Sequence, residues 1–146
     1  MSYITIAFAK PGSLIGQLIA ITTGFKYSHV VLVSPDGEFF IESSGAGPKS
    51  GVAVHAIGHK PFDEFRRILH PRPNEVWEAS LDHVGKPYDY SYLWGWLFRR
   101  DWQDPEKWVC TELIVDSCAA AGRPIIHERK NRVTAETLYM ISEPVN

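Results

Sequence analysis

Residues 28–43 read SHVVLVSPDGEFFIES, and this stretch decides the fold. Positions 28–33 are β-branched and apolar on both faces, which is typical of a buried strand. Ser34-Pro35-Asp36-Gly37 is a turn signal, and residues 38–43 return as a second strand. The stretch therefore predicts a β-hairpin with a buried first strand.

Hydrophobic periodicity and turn signals predict the remaining elements around this hairpin. Strands are predicted at residues 3–8, 52–57 and 65–69, and helices at 14–23, 73–84, 108–121 and 134–140. The chain has no internal repeat and no convincing linker, and 146 residues suit a single domain over residues 1–146. The expected fold class is α+β, with a small antiparallel sheet packed against a helix that carries Cys110.

Composition excludes several classes of protein. The chain has 15 basic and 17 acidic residues and a formal net charge of -2, which gives no overall attraction to nucleic acid or anionic lipid. No apolar stretch is long enough to span a bilayer, and residues 1–10 lack the basic start of a signal peptide. A cytoplasmic location is the default, unless the protein is phage-borne or delivered by a route that the sequence does not show.

The two cysteines, Cys110 and Cys118, are predicted to be free thiols. On one helix their spacing is about 12 Å along the axis, which is too far for a disulfide. Asp104-Pro105 is a helix-start signal that places Cys110 in or near the first turn, where the helix dipole lowers the pKa of a thiol. Cys110 is therefore a candidate nucleophile, with a buried core cysteine as the alternative, and Cys118 is expected to pack in the core.

His29 stands at the start of the buried strand, where a base is held on a rigid element; a hydrogen-bonding strand cap is the alternative. A base needs an orienting partner, and Glu42 is the only charge at the end of an apolar strand. A four-residue turn puts Glu42 directly opposite His29, a two-residue turn puts it diagonally on the same face, and a three-residue turn puts Ser43 there instead. The sequence leaves these registers open, and a solvated edge residue is the alternative for Glu42.

Two halves of the sequence resemble a known family. Residues 27–33, 37, 40–43 and 51–52 look like the histidine half of the NlpC-type papain-like peptidases, and residues 79–90 with 109–113 look like the cysteine half. The histidine half comes first here, as in the circularly permuted branch that includes YiiX-like proteins. The resemblance spans about residues 11 to 138, and the joint order of its short motifs makes it specific.

The resemblance implies a papain-like fold and a catalytic triad of Cys110, His29 and Glu42. It also implies that Tyr88 helps the backbone N–H of Cys110 to stabilise an oxyanion, with aromatic packing as the alternative for Tyr88. Residues 92–102 depart from the family because they are unusually aromatic, and they read either as a helix over the core or as a wall of the substrate groove. The candidate substrate contacts are Tyr27, Trp94 and Trp96.

These residues predict a cysteine hydrolase that works through a Cys110 acyl-enzyme, with no cofactor or metal. The resemblance implies an amide substrate such as a peptidoglycan stem peptide. The alternatives are a lipid ester or amide hydrolase or acyltransferase, and a non-catalytic module that binds an acyl chain or peptide. A metal hydrolase based on His55 and His59 is disfavoured because residues 52–57 read as a strand and no third ligand stands out. Arg99-Arg100 is more typical of a cation–π surface pair than of a nucleic-acid site.

Overall fold

The computed structural model describes residues 1–10, 26–27, 29–44, 51–86, 110–126 and 134–145, and for Ser44 and Cys110 it describes the backbone alone. Six strands form one antiparallel sheet in the order β4-β3-β2-β1-β5-β6. The strands are β1 (Tyr3–Ala9), β2 (His29–Val33), β3 (Phe39–Ser44), β4 (Gly51–Ala56), β5 (Glu64–Leu69) and β6 (Glu143–Pro144). The described ranges also contain a short 3-10 helix and three α-helices: Ile57–His59, α1 (Pro73–Leu81), α2 (Cys110–Ala120) and α3 (Ala135–Ile141). The α+β class with an antiparallel sheet is confirmed.

The pairing between β2 and β3 shows which of the open registers the hairpin adopts. Val33 pairs with Phe40 and Leu32 with Ile41. Gly37 adopts a positive φ of 77° in the connecting turn, where its N–H donates to the Ser34 carbonyl at 2.9 Å. Continued toward the start of β2, this register places Glu42 diagonally from His29 on the same face of the sheet.

One face of the sheet, called here the helix face, packs against all three α-helices. Side chains alternate along each strand, so the inward residues of neighbouring strands line up in one layer. This layer contains the larger of the two apolar clusters, and burial of its side chains supplies most of the hydrophobic stabilisation of the domain. Its sheet and helix residues include Ile6, Phe8, Val30, Leu32, Ile41, Val76, Leu113, Ile114, Cys118 and Leu138.

The opposite face, called here the second face, has a smaller apolar cluster. It consists of Ala7, Val31, Val33 and Phe40, and among the described residues Ile57 and Phe62 pack against it. By strand alternation His29 shares this face with Val31, and Glu42 shares it with Phe40. The hairpin thus presents one set of apolar side chains to the helices and a second set, together with His29 and Glu42, to the other side.

Some element ends differ from the sequence prediction. Helix α1 ends at Leu81 rather than at Val84, because the chain then turns and Gly85, with a φ of 92°, donates its N–H to the Val52 carbonyl at 2.9 Å. Strand β6 was not predicted, since two residues that pair with β5 have no pattern of their own. The helix predicted at residues 14–23 lies outside the described residues. Within the described part of the chain, no helix is long and apolar enough to cross a membrane.

Candidate active site

His29 and Glu42, which the sequence pairs as base and orienting acid, are in contact. Nε2 of His29 lies 2.6 Å from Oε2 of Glu42. The Glu42 side chain is 6% exposed and that of His29 is 21% exposed, so the carboxylate is buried while the imidazole reaches the surface. Because an ionised carboxylate only accepts hydrogen bonds, Nε2 carries the proton that joins the two groups.

The charge on Glu42 is held by its neighbours. Burial alone would raise the pKa of this carboxyl group, but hydrogen bonds and charges from His29 and Lys60 outweigh it and lower the pKa from 4.5 to about 2. Glu42 is therefore ionised at any pH near neutrality. A buried carboxylate in that state stabilises an imidazolium and fixes the orientation of the ring.

Sequence reasoning missed two further partners of Glu42. Lys60 donates from Nζ to Oε2, the oxygen that His29 also contacts, and His55 Nε2 lies 3.5 Å from Oε1. Strand alternation could have found His55 once Phe40 was known to pair with it. Lys60 follows the 3-10 helix, where no sequence period predicts the direction of a side chain.

His55 and His59 form a stacked pair beside this carboxylate. Their ring centroids are 4.2 Å apart and the rings are nearly parallel, with an interplanar angle of 5°. Burial first, and then the charges of His59 and Lys60, lower the pKa of His55. His55 lies in β4 and His59 in the 3-10 helix, so the two do not share an α-helix. Among the described residues, no group of three or more His, Cys, Asp or Glu side chains could hold a metal ion.

Cys110 is the first residue of α2 in the described part of the chain. Helix α2 packs on the helix face against β2 and β3, whereas His29 and Glu42 contact each other on the second face. The Cys110 side chain lies outside the described residues, as do Tyr88, Trp94 and Trp96. His29 is the first residue of β2 and so lies at the end of this strand.

Cys118, eight positions further along α2, is a core residue as predicted. Its side chain is fully buried among apolar neighbours. Burial raises the pKa of this thiol to about 12, because the charged form has no compensating partner in an apolar environment. Cys118 is thus protonated and unreactive near neutral pH.

Tyr27, a predicted substrate contact, packs on the helix face. It is 6% exposed, and its hydroxyl donates to Oε2 of Glu64 at 3.0 Å. The ring lies against Phe8 and Tyr139, at centroid distances of 5.5 and 6.1 Å. Burial and the Glu64 carboxylate raise the pKa of Tyr27 to about 12. These contacts join the start of the hairpin to α3, and a substrate role for Tyr27 stays a prediction.

A second His–carboxylate pair joins the turn after α1 to α2. Nε2 of His83 is 3.3 Å from Oδ2 of Asp116, and Nδ1 of His83 is 3.1 Å from Nζ of Lys86. His83 is buried; its contact with Asp116 links these two segments, while its contact with Lys86 stays within the segment after α1. The sequence assigns no role to His83, and its contacts are consistent with a structural one.

The resemblance to the permuted NlpC-type peptidases rests on short motifs in a particular order. The resemblance predicts that Cys110, His29 and Glu42 act together, and of these the structure describes the contact between His29 and Glu42. No protein-family model matches the sequence, and no curated protein is significantly similar to it.

Proposed function

We propose that the protein is a cysteine hydrolase with a permuted papain-like fold, in which Cys110 is the nucleophile, His29 the base and Glu42 the residue that orients the base. The observation that carries the proposal is the buried, ionised Glu42 carboxylate on Nε2 of His29. Helix α2, which bears Cys110, packs against the same two strands on the face opposite to this pair.

The tautomer of His29 suits a base. With the Nε2 proton directed to Glu42, the neutral ring presents Nδ1 as its proton acceptor. Glu42 stabilises the imidazolium that forms after proton transfer and stays ionised itself. The arrangement therefore supplies what an activated thiol needs, which is a base held in one orientation by a third group.

The proposed reaction proceeds in two stages. Nδ1 of His29 takes the thiol proton of Cys110, and the thiolate attacks the carbonyl carbon of an amide. The imidazolium then protonates the leaving amine as the C–N bond breaks, which leaves a thioester on Cys110. His29 next takes a proton from water, the resulting hydroxide attacks the thioester, and the carboxylic acid is released as the sulfur recovers its proton.

Tyr88 and the backbone N–H of Cys110 are the proposed donors to the oxyanion that develops in both stages. The proposed substrate is a peptide or isopeptide such as a peptidoglycan stem peptide, which is the substrate class that the resemblance implies. Proton transfer requires Sγ of Cys110 to come within about 4 Å of Nδ1 of His29. Because α2 and the His29–Glu42 pair lie on different faces of the sheet, the proposal places this approach at the end of β2.

A pair of thiol variants tests the proposal. Cys110→Ala should abolish hydrolysis of muropeptides and of acyl esters, while Cys118→Ala, the matched control, should retain it. A thiol-reactive probe should label Cys110 ahead of Cys118, and His29→Ala should slow that labelling. Hydrolysis that survives in folded Cys110→Ala would discard the thiol mechanism, and Cys110 labelling that is unchanged in His29→Ala would discard His29 as its base.

A further inference from the structure

We infer that Lys60 is a positioning residue that sets the basicity of His29 through the carboxylate the two side chains share. The inference deepens the proposed function and rests on it for its catalytic meaning. Its structural basis is one oxygen atom, Oε2 of Glu42, which contacts both Nε2 of His29 and Nζ of Lys60.

Lys60 reaches this oxygen from outside the hairpin. It directly follows the 3-10 helix, which the Ile57 N–H ties to the Glu38 carbonyl at 2.9 Å. Its ammonium group also lies 5.7 Å from the centroid of the buried Phe40 ring, within the range of a cation–π contact. These contacts place a lysine on the second face, beside the proposed base.

The charges around Glu42 decide what Lys60 does. The described groups that face this carboxylate are His29 from β2, His55 from β4 and Lys60, with His59 stacked behind His55. Of these side chains, Lys60 is the one that ends in an ammonium group. Its charge repels an imidazolium at His29 and takes part of the hydrogen-bonding capacity of Oε2, so Lys60 limits how strongly Glu42 stabilises the protonated base.

A merely structural lysine would behave differently. If Lys60 only fastened the segment after β4, its loss would lower the melting temperature and leave the titration of His29 unchanged. If it sets the basicity of His29, its loss makes the imidazole a stronger base. The two roles are therefore separated by the titration midpoint of one histidine.

The experiment follows the His29 ring signal by NMR from pH 4 to 9, with His29→Gln used to assign the signal. In Lys60→Met and Lys60→Gln we expect the midpoint to rise by about one pH unit, and Lys60→Arg should restore it to near the wild-type value. Arg123→Met, which removes an exposed cation beyond α2, is the matched control and should leave it unchanged. The acid limb of kcat/KM should move upward with the midpoint.

A midpoint that stays in place or falls in both folded neutral variants would overturn the inference, as would an equal rise in Arg123→Met. The titration does not depend on turnover. A raised midpoint in a protein that shows no Cys110-dependent hydrolysis would therefore sustain the effect of Lys60 on His29 and count against the proposed function alone.

Discussion

The helix face of the sheet and its second face are made from the same strands, yet they bury different chemistry. On the helix face Val30, Leu32 and Ile41 meet an apolar layer of helices. On the second face the alternate positions of the same hairpin hold Val31, Phe40, His29 and Glu42, and Ile57 and Phe62 pack against the apolar residues of this set. One hairpin therefore contributes one set of side chains to the core and holds the His29–Glu42 pair with the other set.

Removing the base should produce the largest effect on the second face. His29→Ala is expected to lower kcat/KM by about 1,000-fold, because the thiol then has no positioned proton acceptor. The melting temperature should also fall, since the buried Glu42 carboxylate loses one of its hydrogen-bond partners. Steady-state kinetics and thermal unfolding of the same preparation measure kcat/KM and the melting temperature. Full activity in the variant would show that His29 has no part in catalysis.

On the helix face, the loss of a buried aromatic ring should mainly lower the stability of the protein. Phe8 is fully buried against Tyr27 and Tyr139, and Phe8→Ala is expected to cost about 3–5 kcal/mol of unfolding free energy. The matched change Phe40→Ala removes an equally buried ring from the second face, where it packs beside Lys60 and His55. We expect Phe40→Ala to lower kcat/KM of the protein that remains folded, in addition to lowering the free energy of unfolding. Steady-state kinetics and urea unfolding measure the two effects. Equal effects of both variants on stability and activity would contradict a division of roles between the faces.

The Glu42 carboxylate on the second face should also make the stability of the protein depend on pH. The folded-state pKa of Glu42 is lowered from 4.5 to about 2, so its stabilisation is complete above about pH 5 and is lost as the pH falls toward 2. The amount lost is about 3 kcal/mol. Glu42→Gln should remove this part of the pH dependence, as unfolding in urea at pH 6 and pH 3 would measure. Glu78→Gln, at an exposed position of α1, is the control and should lose stability in acid as the wild type does.

The smallest expected effect concerns a single hydroxyl on the helix face. Tyr27→Phe removes the group that donates to Glu64 and should cost about 1 kcal/mol of unfolding free energy. With the ring retained, kcat should not change. A rise in KM at unchanged stability would instead support the substrate contact that the sequence suggests for Tyr27.

Much of the hairpin and part of the site could be predicted from the sequence. The run 28–33 and the turn that follows it predict that His29 and Glu42 lie on adjacent strands. Turns of two or four residues place the two side chains on one face, and the observed pairing does so as well. The helices with strong periods were found because 3.6-residue spacing is a local property. The register itself was not predictable, since it depends on which cross-strand contacts pack best.

What the sequence by itself determined is the local chemistry: a buried strand that opens with a histidine, a returning strand that carries one acid, and a helix that bears a core cysteine. Tertiary structure alone decided that Lys60 and His55 converge on Glu42, that the pair lies on the face opposite α2, and that residues 143–144 complete the sheet. The physical reason is that these features depend on strand pairing and on contacts between residues distant in the chain. Local propensity and periodicity carry no information about such contacts.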